Sequence, residues 1–230
     1  MRTLIFTLAI GLASANLFAQ DAYYEVEDPN VPDSLPTSAD YHKVDVSFSR
    51  LKLIYPNELI EAYCPKLVNE RGLDATKSLV FDIGCTETAG DSTKTKKGEN
   101  SPILHVTEIN HADYIRCNPD GPQFSFKDMF QPGNLHLGLI VLDWWATTTV
   151  YDNFEMRTDE QIYRTWNGGN LGARDELTED YFVNTKEDGW QKHKARIKKT
   201  RANCAKFRMF RKIRVAMEKS GRGVMLAIMK

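Results

Sequence analysis

The stretch FDIGCTETAGD (residues 81–91) ends an amphipathic pattern and places a glutamate on its apolar face. Leu79 and Ile83 recur at helical spacing, and Glu87 follows Ile83 by one further turn. Gly90 is typical of the position just past a helix end. The pattern predicts a helix whose last turn holds a carboxylate among apolar neighbours, beside the negative end of the helix dipole. Both influences disfavour the charged form, so we expect the pKa of Glu87 to be raised.

Composition allows one sizeable hydrophobic core. The chain has 230 residues, 42% of them hydrophobic, and a net charge of −1. That charge is unevenly distributed: residues 192–230 contain 14 Lys and Arg and one acidic residue, whereas residues 21–50 contain seven acidic residues and two basic ones. The basic end could meet anionic surfaces. We expect no nucleic-acid partner and a monomeric protein.

The first 19 residues have the pattern of a signal peptide. Arg2 precedes the apolar run LIFTLAIGL (residues 4–12), and small residues suited to cleavage follow. This pattern predicts an exported protein, periplasmic or secreted, in which disulfides are permitted.

The chain contains four cysteines: Cys64, Cys85, Cys117 and Cys204. They are interpreted as structural cysteines, either joined in disulfides, for which three complete pairings exist, or buried as free thiols. Their spacing contains no CxxC and no cysteine–histidine cluster. We therefore expect no metal and no cofactor.

The chain divides into four predicted segments. The signal peptide, residues 1–19, precedes an acidic extended leader over residues 20–50, which contains three prolines. Residues 51–190 form the main domain, which we expect to be mainly α with a small irregular or β segment between Glu87 and Asn110.

Two helix boundaries and one apolar helix stand out within the main domain. Asn134 is placed to cap a helix that buries Trp144 and Trp145, and Asn167-Gly168 is expected to end the next helix.

Residues 191–230 form the fourth segment, a basic C-terminal helix. An apolar stripe at helical spacing runs from Ile197 to Met217, and Lys and Arg fill most other positions. The stripe favours a helix packed on the domain, and the basic face favours one that binds an anionic envelope surface or membrane. Both interpretations stay open from the sequence.

Five short motifs occur in a recognisable order. They are ETAG (87–90), ILHVT (103–107), PGNL (132–135), WNGG (166–169) and TEDYFV (178–183). Together they resemble the lytic transglycosylases of the lysozyme-like superfamily over residues 55–190. In that family Glu-Ser-Gly ends a helix, Gly-Leu-Met-Gln follows, and an Asn-Gly-Gly-like segment and a Thr-x-x-Tyr-Val helix come later. This chain departs from the pattern at Thr88, which stands for the Ser, and at His105, which stands for the Gln.

The resemblance implies an α+β lysozyme-like fold and a glycosidase activity. Glu87 would act as general acid on the glycosidic oxygen and then as base toward the sugar's 6-hydroxyl or water. Seven residues would bind substrate: Thr88, His105, Val106, Thr107, Trp166, Asn167 and Tyr181. The substrate would be peptidoglycan glycan strands, cleaved at the β-1,4 bond between N-acetylmuramic acid and N-acetylglucosamine by a lytic transglycosylase or muramidase.

Two other functions fit parts of the sequence. A catalytically inactive lysozyme-like module that binds peptidoglycan or a protein partner would explain the departures at Thr88 and His105. A membrane- or polyanion-binding protein that acts through its C-terminal helix would explain the basic residues after position 190.

Overall fold

Helices make up most of the protein in the computed structural model, which describes residues 35–94, 100–148, 158–172 and 189–220. In chain order they are α1 (Ser38–Ile54), α2 (Asn57–Tyr63), α3 (Pro65–Arg71), α4 (Leu73–Thr88), α5 (Glu108–Cys117), α6 (Leu137–Thr147), α7 (Asp159–Gly172) and α8 (Gly189–Ser220). Two 3₁₀ helices, Phe126–Phe130 and Pro132–Asn134, precede α6. The mainly helical prediction is confirmed. Between Glu87 and Asn110 the described residues form no strand, and their only β contact is an isolated bridge from Asn100 to Thr107.

Helix α4 lies at the centre of the packing and ends where the sequence predicts. Leu79 and Ile83 are fully buried. The helix stops at Thr88 because Ala89 adopts the left-handed conformation at φ 59° and Gly90 follows at φ 67°. A Cβ atom on Gly90 would lie 2.8 Å from the backbone oxygen of Ser47 on α1, so the turn needs glycine for space as well as for conformation.

Helix α1 corrects the prediction of an extended leader over residues 20–50, because its first thirteen residues fall in that range. Thr37 and Asp40 form a reciprocal capping box that starts the helix. Val44, Phe48 and Leu51 then follow at helical spacing and are all buried. The prediction of an extended leader gave more weight to the acidic residues and prolines before this face than to its apolar spacing.

Helix α8 packs along α7 and also contacts α4 and α1. Cys204, Phe207, Phe210 and Ile213 on its stripe are at most 1% exposed and belong to the same core as Val44 of α1. The boundaries expected at residues 50 and 190 therefore do not divide the described residues. The interpretation of a helix packed on the domain is confirmed.

Several basic side chains of α8 are engaged with acidic residues of other helices. Arg208 Nη1 lies 2.5 Å from Glu160 Oε1 of α7. Arg214 donates from Nε and Nη2 to the two carboxylate oxygens of Asp82 on α4, at 2.8 and 2.9 Å. The basic composition of α8 thus serves packing as well as surface charge.

Two local expectations are wrong and one is confirmed. Asn134 lies in a 3₁₀ helix and donates to the backbone oxygen of Asp128 instead of capping α6. Helix α7 continues through Asn167 to Gly172. Gly168 lies inside the helix and permits its close packing on α8, since a Cβ there would lie 2.7 Å from Thr200 Oγ1. Trp144 and Trp145 are core residues, as predicted.

The four cysteines are free thiols, and Cys64, Cys85 and Cys204 are buried, as the interpretation of buried structural cysteines expects. Their sulfur atoms have different surroundings: Cys64 donates to Leu139, Cys85 lies beside Ser47, and Cys204 lies near Arg164. Burial raises the pKa of Cys85 to about 11 and of Cys204 to about 12, which makes them unreactive thiols.

Candidate active site

The carboxylate of Glu87 lies at the C-terminal end of α4 and accepts three hydrogen bonds. His105 Nδ1 lies 3.1 Å from Oε2, while Tyr163 Oη and Asn167 Nδ2 donate to Oε1 at 2.8 and 2.9 Å. The side chain is 12% exposed. We call these four residues the Glu87 cluster. Its placement on the buried face of α4 follows from the helical spacing seen in the sequence.

The expected rise in the pKa of Glu87 is wrong. Burial does raise it, but hydrogen bonds from His105, Tyr163 and Asn167, together with the charge of a protonated His105, lower it below its ordinary value. Donors that favour the ionised form therefore outweigh both burial and the helix dipole. Glu87 is a carboxylate at neutral pH.

The ionised state of Glu87 fixes the tautomer of His105. A carboxylate only accepts hydrogen bonds, so Nδ1 must carry a hydrogen. Nε2 is then the basic nitrogen of the neutral ring. It is buried and has no hydrogen-bond partner among the described residues. An unsatisfied buried polar atom costs about 1–3 kcal/mol of stability, which sets this nitrogen apart from the hydrogen-bonded polar atoms around it.

His105 is presented by a strained turn over residues 100–107, the His105 loop. Ser101 N donates to Val106 O at 2.8 Å, and Val106 N donates to Ser101 Oγ at 2.9 Å. Within this turn Ile103 and His105 have φ values of 64° and 53°. Positive φ is unusual for a β-branched residue and costs about 1–3 kcal/mol where it occurs. Such strain persists only where the surroundings impose it.

Two predicted site residues supply that constraint. Thr88 Oγ1 donates to Ile103 O at 3.1 Å and ties the His105 loop to α4. Trp166 Nε1 donates to Leu104 O at 2.9 Å and ties it to α7. Both side chains are buried, at 1% and 5% exposure. They position His105 and do not line an open groove.

Helix α8 completes the support of the cluster. Asn203 Nδ2 donates to Asn167 Oδ1 at 3.0 Å, which orients the Asn167 amide so that its NH₂ group faces Glu87. Phe207 stacks on Tyr163 with ring centroids 4.5 Å apart. Lys206 Nζ donates to the backbone oxygen of Thr86 in the last turn of α4. Burial lowers the pKa of Lys206, and nearby Lys43 adds to that effect.

The seven predicted substrate-binding residues thus have different placements. His105 and Asn167 contact Glu87, and Thr88 and Trp166 hold the loop. Val106 is fully buried, and Thr107 caps α5 by accepting from Asn110 N. Tyr181 lies outside the described residues.

Sequence reasoning missed Tyr163, Asn203 and Lys206. Tyr163 could have been found, because it precedes Asn167 by four residues and so shares its helix face. The two α8 residues carried no such local signal.

The described part of the chain contains no group of three or more His, Cys, Asp and Glu side chains arranged to hold a metal ion. None of the described helices combines the length and the apolar character needed to cross a membrane. Comparison of the chain with protein-family models, with curated proteins and with solved structures gave no match.

Proposed function

We propose that the protein is an exported peptidoglycan-cleaving enzyme, a lytic transglycosylase or muramidase, in which Glu87 transfers the proton at the β-1,4 bond between N-acetylmuramic acid and N-acetylglucosamine. One observation carries the proposal: a nearly buried carboxylate whose donors His105 and Asn167 come from the two motifs that the resemblance assigns to the same cleft. Tyr163, from the turn before Asn167, adds the third donor.

The ionised carboxylate of Glu87 can act directly as the base in the second step of the reaction. Oε1 already accepts from Tyr163 and Asn167, whereas Oε2 accepts only from His105. Oε2 therefore keeps an acceptor position for a substrate hydroxyl. As a base, ionised Glu87 takes the proton of the sugar's 6-hydroxyl, giving an anhydro product, or that of water, giving hydrolysis.

The first half of the reaction needs a proton on Glu87. Cleavage of the glycosidic bond leaves an alkoxide unless the departing oxygen is protonated, and an anion cannot supply that proton. A lowered pKa leaves little protonated Glu87 at neutral pH. In this proposal, the enzyme works best in mild acid or takes the proton from a neighbouring group.

Localisation and partners follow from the sequence. Residues 1–19, which lie outside the described residues, act as the signal peptide in this proposal. Exposed basic side chains of α8, such as Arg196, Lys198 and Lys199, would face the anionic envelope around the substrate. Their attraction would weaken with added salt. The substrate strands are the partner, and the enzyme works as a monomer without a cofactor.

A catalytically inactive module that binds peptidoglycan is the second candidate. The lowered pKa of Glu87 favours this candidate, because three donors that keep a carboxylate ionised can also serve only to hold neighbouring elements together. Its Oε2 and the His105 ring would then bind substrate hydroxyls without proton transfer.

Mass spectrometry of purified peptidoglycan incubated with the protein tests the proposal. Released muropeptides identify cleavage, and an anhydro end separates transglycosylase from muramidase chemistry. Glu87→Gln should lower the rate by at least roughly a hundredfold, the usual scale of acid–base catalysis, without unfolding the domain.

Glu58→Gln is the matched control, since Glu58 lies on α2 and is exposed. It should cleave like the parent. Sedimentation with peptidoglycan but no soluble fragments from the parent would establish the inactive module and sink the enzyme proposal. Undiminished cleavage by Glu87→Gln would remove Glu87 from the mechanism.

A further inference from the structure

Three lysines gather at the C-terminal end of α4, beside the Glu87 cluster. Lys206 of α8 donates to the backbone oxygen of Thr86, the residue before Glu87. Its like-charged neighbours are Lys43 of α1 and Lys94, which follows α4. We call these three lysines the lysine patch. They come from three separate parts of the chain, so only the fold brings them together.

The ring of Phe210 supports two of the ammonium groups. Lys43 Nζ lies 5.3 Å from the ring centroid, and Lys206 Nζ lies 5.4 Å from it. Phe210 is 1% exposed and belongs to the core, so the ring is a fixed base for both cations. Lys206 is half-buried, whereas Lys43 and Lys94 are exposed. The lysine patch therefore has a rigid floor and is accessible to solvent.

Acidic side chains do not neutralise the lysine patch. Within the part of the chain that the structure describes, none of the three lysines forms a salt bridge. Asp40 lies near Lys43 and Asp91 near Lys94, but each carboxylate accepts hydrogen bonds from a threonine of its own turn. Glu87 has three donors of its own. A positive field remains at the patch, and such a field attracts an anion.

The dipole of α4 explains one of these lysines but not all three. A cation is stabilising at the C-terminal end of a helix, and Lys206 supplies it by contact with a carbonyl of the last turn. Burial lowers the pKa of Lys206, and the charge of Lys43 lowers it further, so the two lysines disfavour each other's charge. A bound anion would remove this repulsion.

We infer that the lysine patch is a carboxylate-binding subsite for the peptide stems of peptidoglycan. The inference deepens the proposed function, and the identity of the ligand rests on it. The stem is attached to N-acetylmuramic acid, the sugar whose bond is cleaved in that proposal. Its carboxylates are therefore anions that the substrate itself carries close to the scissile bond.

The spacing along α8 suits one ligand that reaches both places. Asn203, which orients Asn167 in the Glu87 cluster, precedes Lys206 by three residues and Phe210 by seven. At 1.5 Å per helical residue these separations are about 4.5 and 10.5 Å. Three extended peptide residues span about 10 Å. A sugar bound at Glu87 can thus place a carboxylate of its stem at the lysine patch.

Two matched probes test the subsite on the full chain. One is an N-acetylmuramoyl peptide with free carboxylates, and the other is the same compound with those carboxylates converted to amides. Neither contains a bond between two sugars, so cleavage cannot interfere. In calorimetry at low salt the acidic probe should bind at least about fivefold more tightly than the amide, the scale of two or three exposed ion pairs. Added salt should reduce this preference.

The double variant Lys43→Gln/Lys94→Gln removes two cations of the lysine patch and leaves Lys206 in place. It should bind the acidic probe about as weakly as the amide. Lys66→Gln/Lys127→Gln is the matched control, because it removes the same charge from exposed positions on α3 and in the first 3₁₀ helix. The control should keep the parental preference. Thermal melting curves establish that both double variants are folded.

The outcomes separate failure of this inference from failure of the proposed function. Equal binding of the two probes by the parent, or a preference that survives in Lys43→Gln/Lys94→Gln, overturns the subsite and leaves the glycosidase standing. A preference that this variant loses supports the subsite even if the parent cleaves nothing, and the protein is then a binding module.

Vesicles of phosphatidylglycerol form the last arm of the test. The double variant should bind them about as well as Lys66→Gln/Lys127→Gln does. If Lys43→Gln/Lys94→Gln alone loses vesicle binding while the parent binds the two probes equally, the lysine patch recognises a lipid surface. That result overturns the inference.

Discussion

Asp82 and Glu87 lie five residues apart on α4 and are both nearly or fully buried, but their partners differ in kind. Asp82 is paired with a permanent cation, Arg214, through two parallel hydrogen bonds. Glu87 accepts from a phenol, an amide and an imidazole, none of which is a permanent cation.

The pKa values of the two carboxyls move in opposite directions. Burial raises the pKa of Asp82 to about 6, even though Arg214 opposes the rise. The three donors instead bring the pKa of Glu87 below its ordinary value despite burial. The balance between burial and hydrogen-bond donors therefore differs at the two sites: burial outweighs Arg214 at Asp82, and three donors outweigh burial at Glu87. Asp82 anchors α8 to α4, whereas Glu87 joins the end of α4 to α7 and the His105 loop.

The largest expected effect comes from removing the helix that both sites share. Ending the chain at residue 188 removes α8, exposes the core that it covers and leaves Asp82 without its cation. We expect an aggregating protein without a cooperative thermal transition. Ending the chain at Ser220 is the control and should melt cooperatively, like the parent. A folded, stable product from the shorter chain would show that α8 is only attached to the domain.

A smaller effect is expected from breaking the anchor alone. Arg214→Ala leaves a buried carboxylate unpaired and should cost about 3–5 kcal/mol in the free energy of unfolding, measured by urea titration. The exposed pair of Arg116 and Asp113 gives the control: Arg116→Ala should leave the urea midpoint near that of the parent.

The same variant sharpens the contrast between the two sites. Under the proposed function, Arg214→Ala should keep glycan cleavage at temperatures where it stays folded, whereas Glu87→Gln should stay folded at ordinary temperature and lose cleavage. Loss of cleavage by folded Arg214→Ala would mean that the Asp82–Arg214 pair and the Glu87 cluster are coupled.

The smallest expected effect is the difference between the pKa values of the two carboxyls. Carbon-13 NMR can follow both in one titration. Asp82 should titrate near pH 6, above its ordinary value of 3.8, and Glu87 below its ordinary value of 4.5. The two therefore act oppositely on stability. The contribution of Glu87 is present above its unfolded pKa and is lost as the pH falls through the folded pKa. For Asp82 the contribution is present below its unfolded pKa and is lost as the pH rises through about 6. An Asp82 midpoint below 3.8 would show that Arg214 outweighs burial and would end the contrast.

Features encoded within one helix could be predicted from the sequence. The apolar spacing around Ile83 placed Glu87 on the buried face of α4, and the stripe on α8 predicted a helix that packs on the core. Helix α1 was missed although Val44, Phe48 and Leu51 show the same spacing, because the acidic residues and prolines before them suggested an extended segment.

Features that depend on distant contacts could not be predicted. The pKa of Glu87 is set by donors 18, 76 and 80 residues away in the chain. Sequence reasoning had only burial and the helix dipole to weigh, and both point the other way. Trp166 was expected to bind sugar because its motif does not reveal that the indole donates to the backbone oxygen of Leu104.

The distance along the chain between α4 and α8 has a consequence for how the protein is made. Lys206 reaches Thr86 across 120 residues, and Arg214 reaches Asp82 across 132. Because a ribosome makes the chain from its N-terminus, Asp82 emerges unpaired and stays so until more than a hundred further residues have been synthesised. A premature stop or a proteolytic cut before Asn203 would therefore remove the partner of Asp82 and leave Glu87 without the Asn203 contact that orients Asn167.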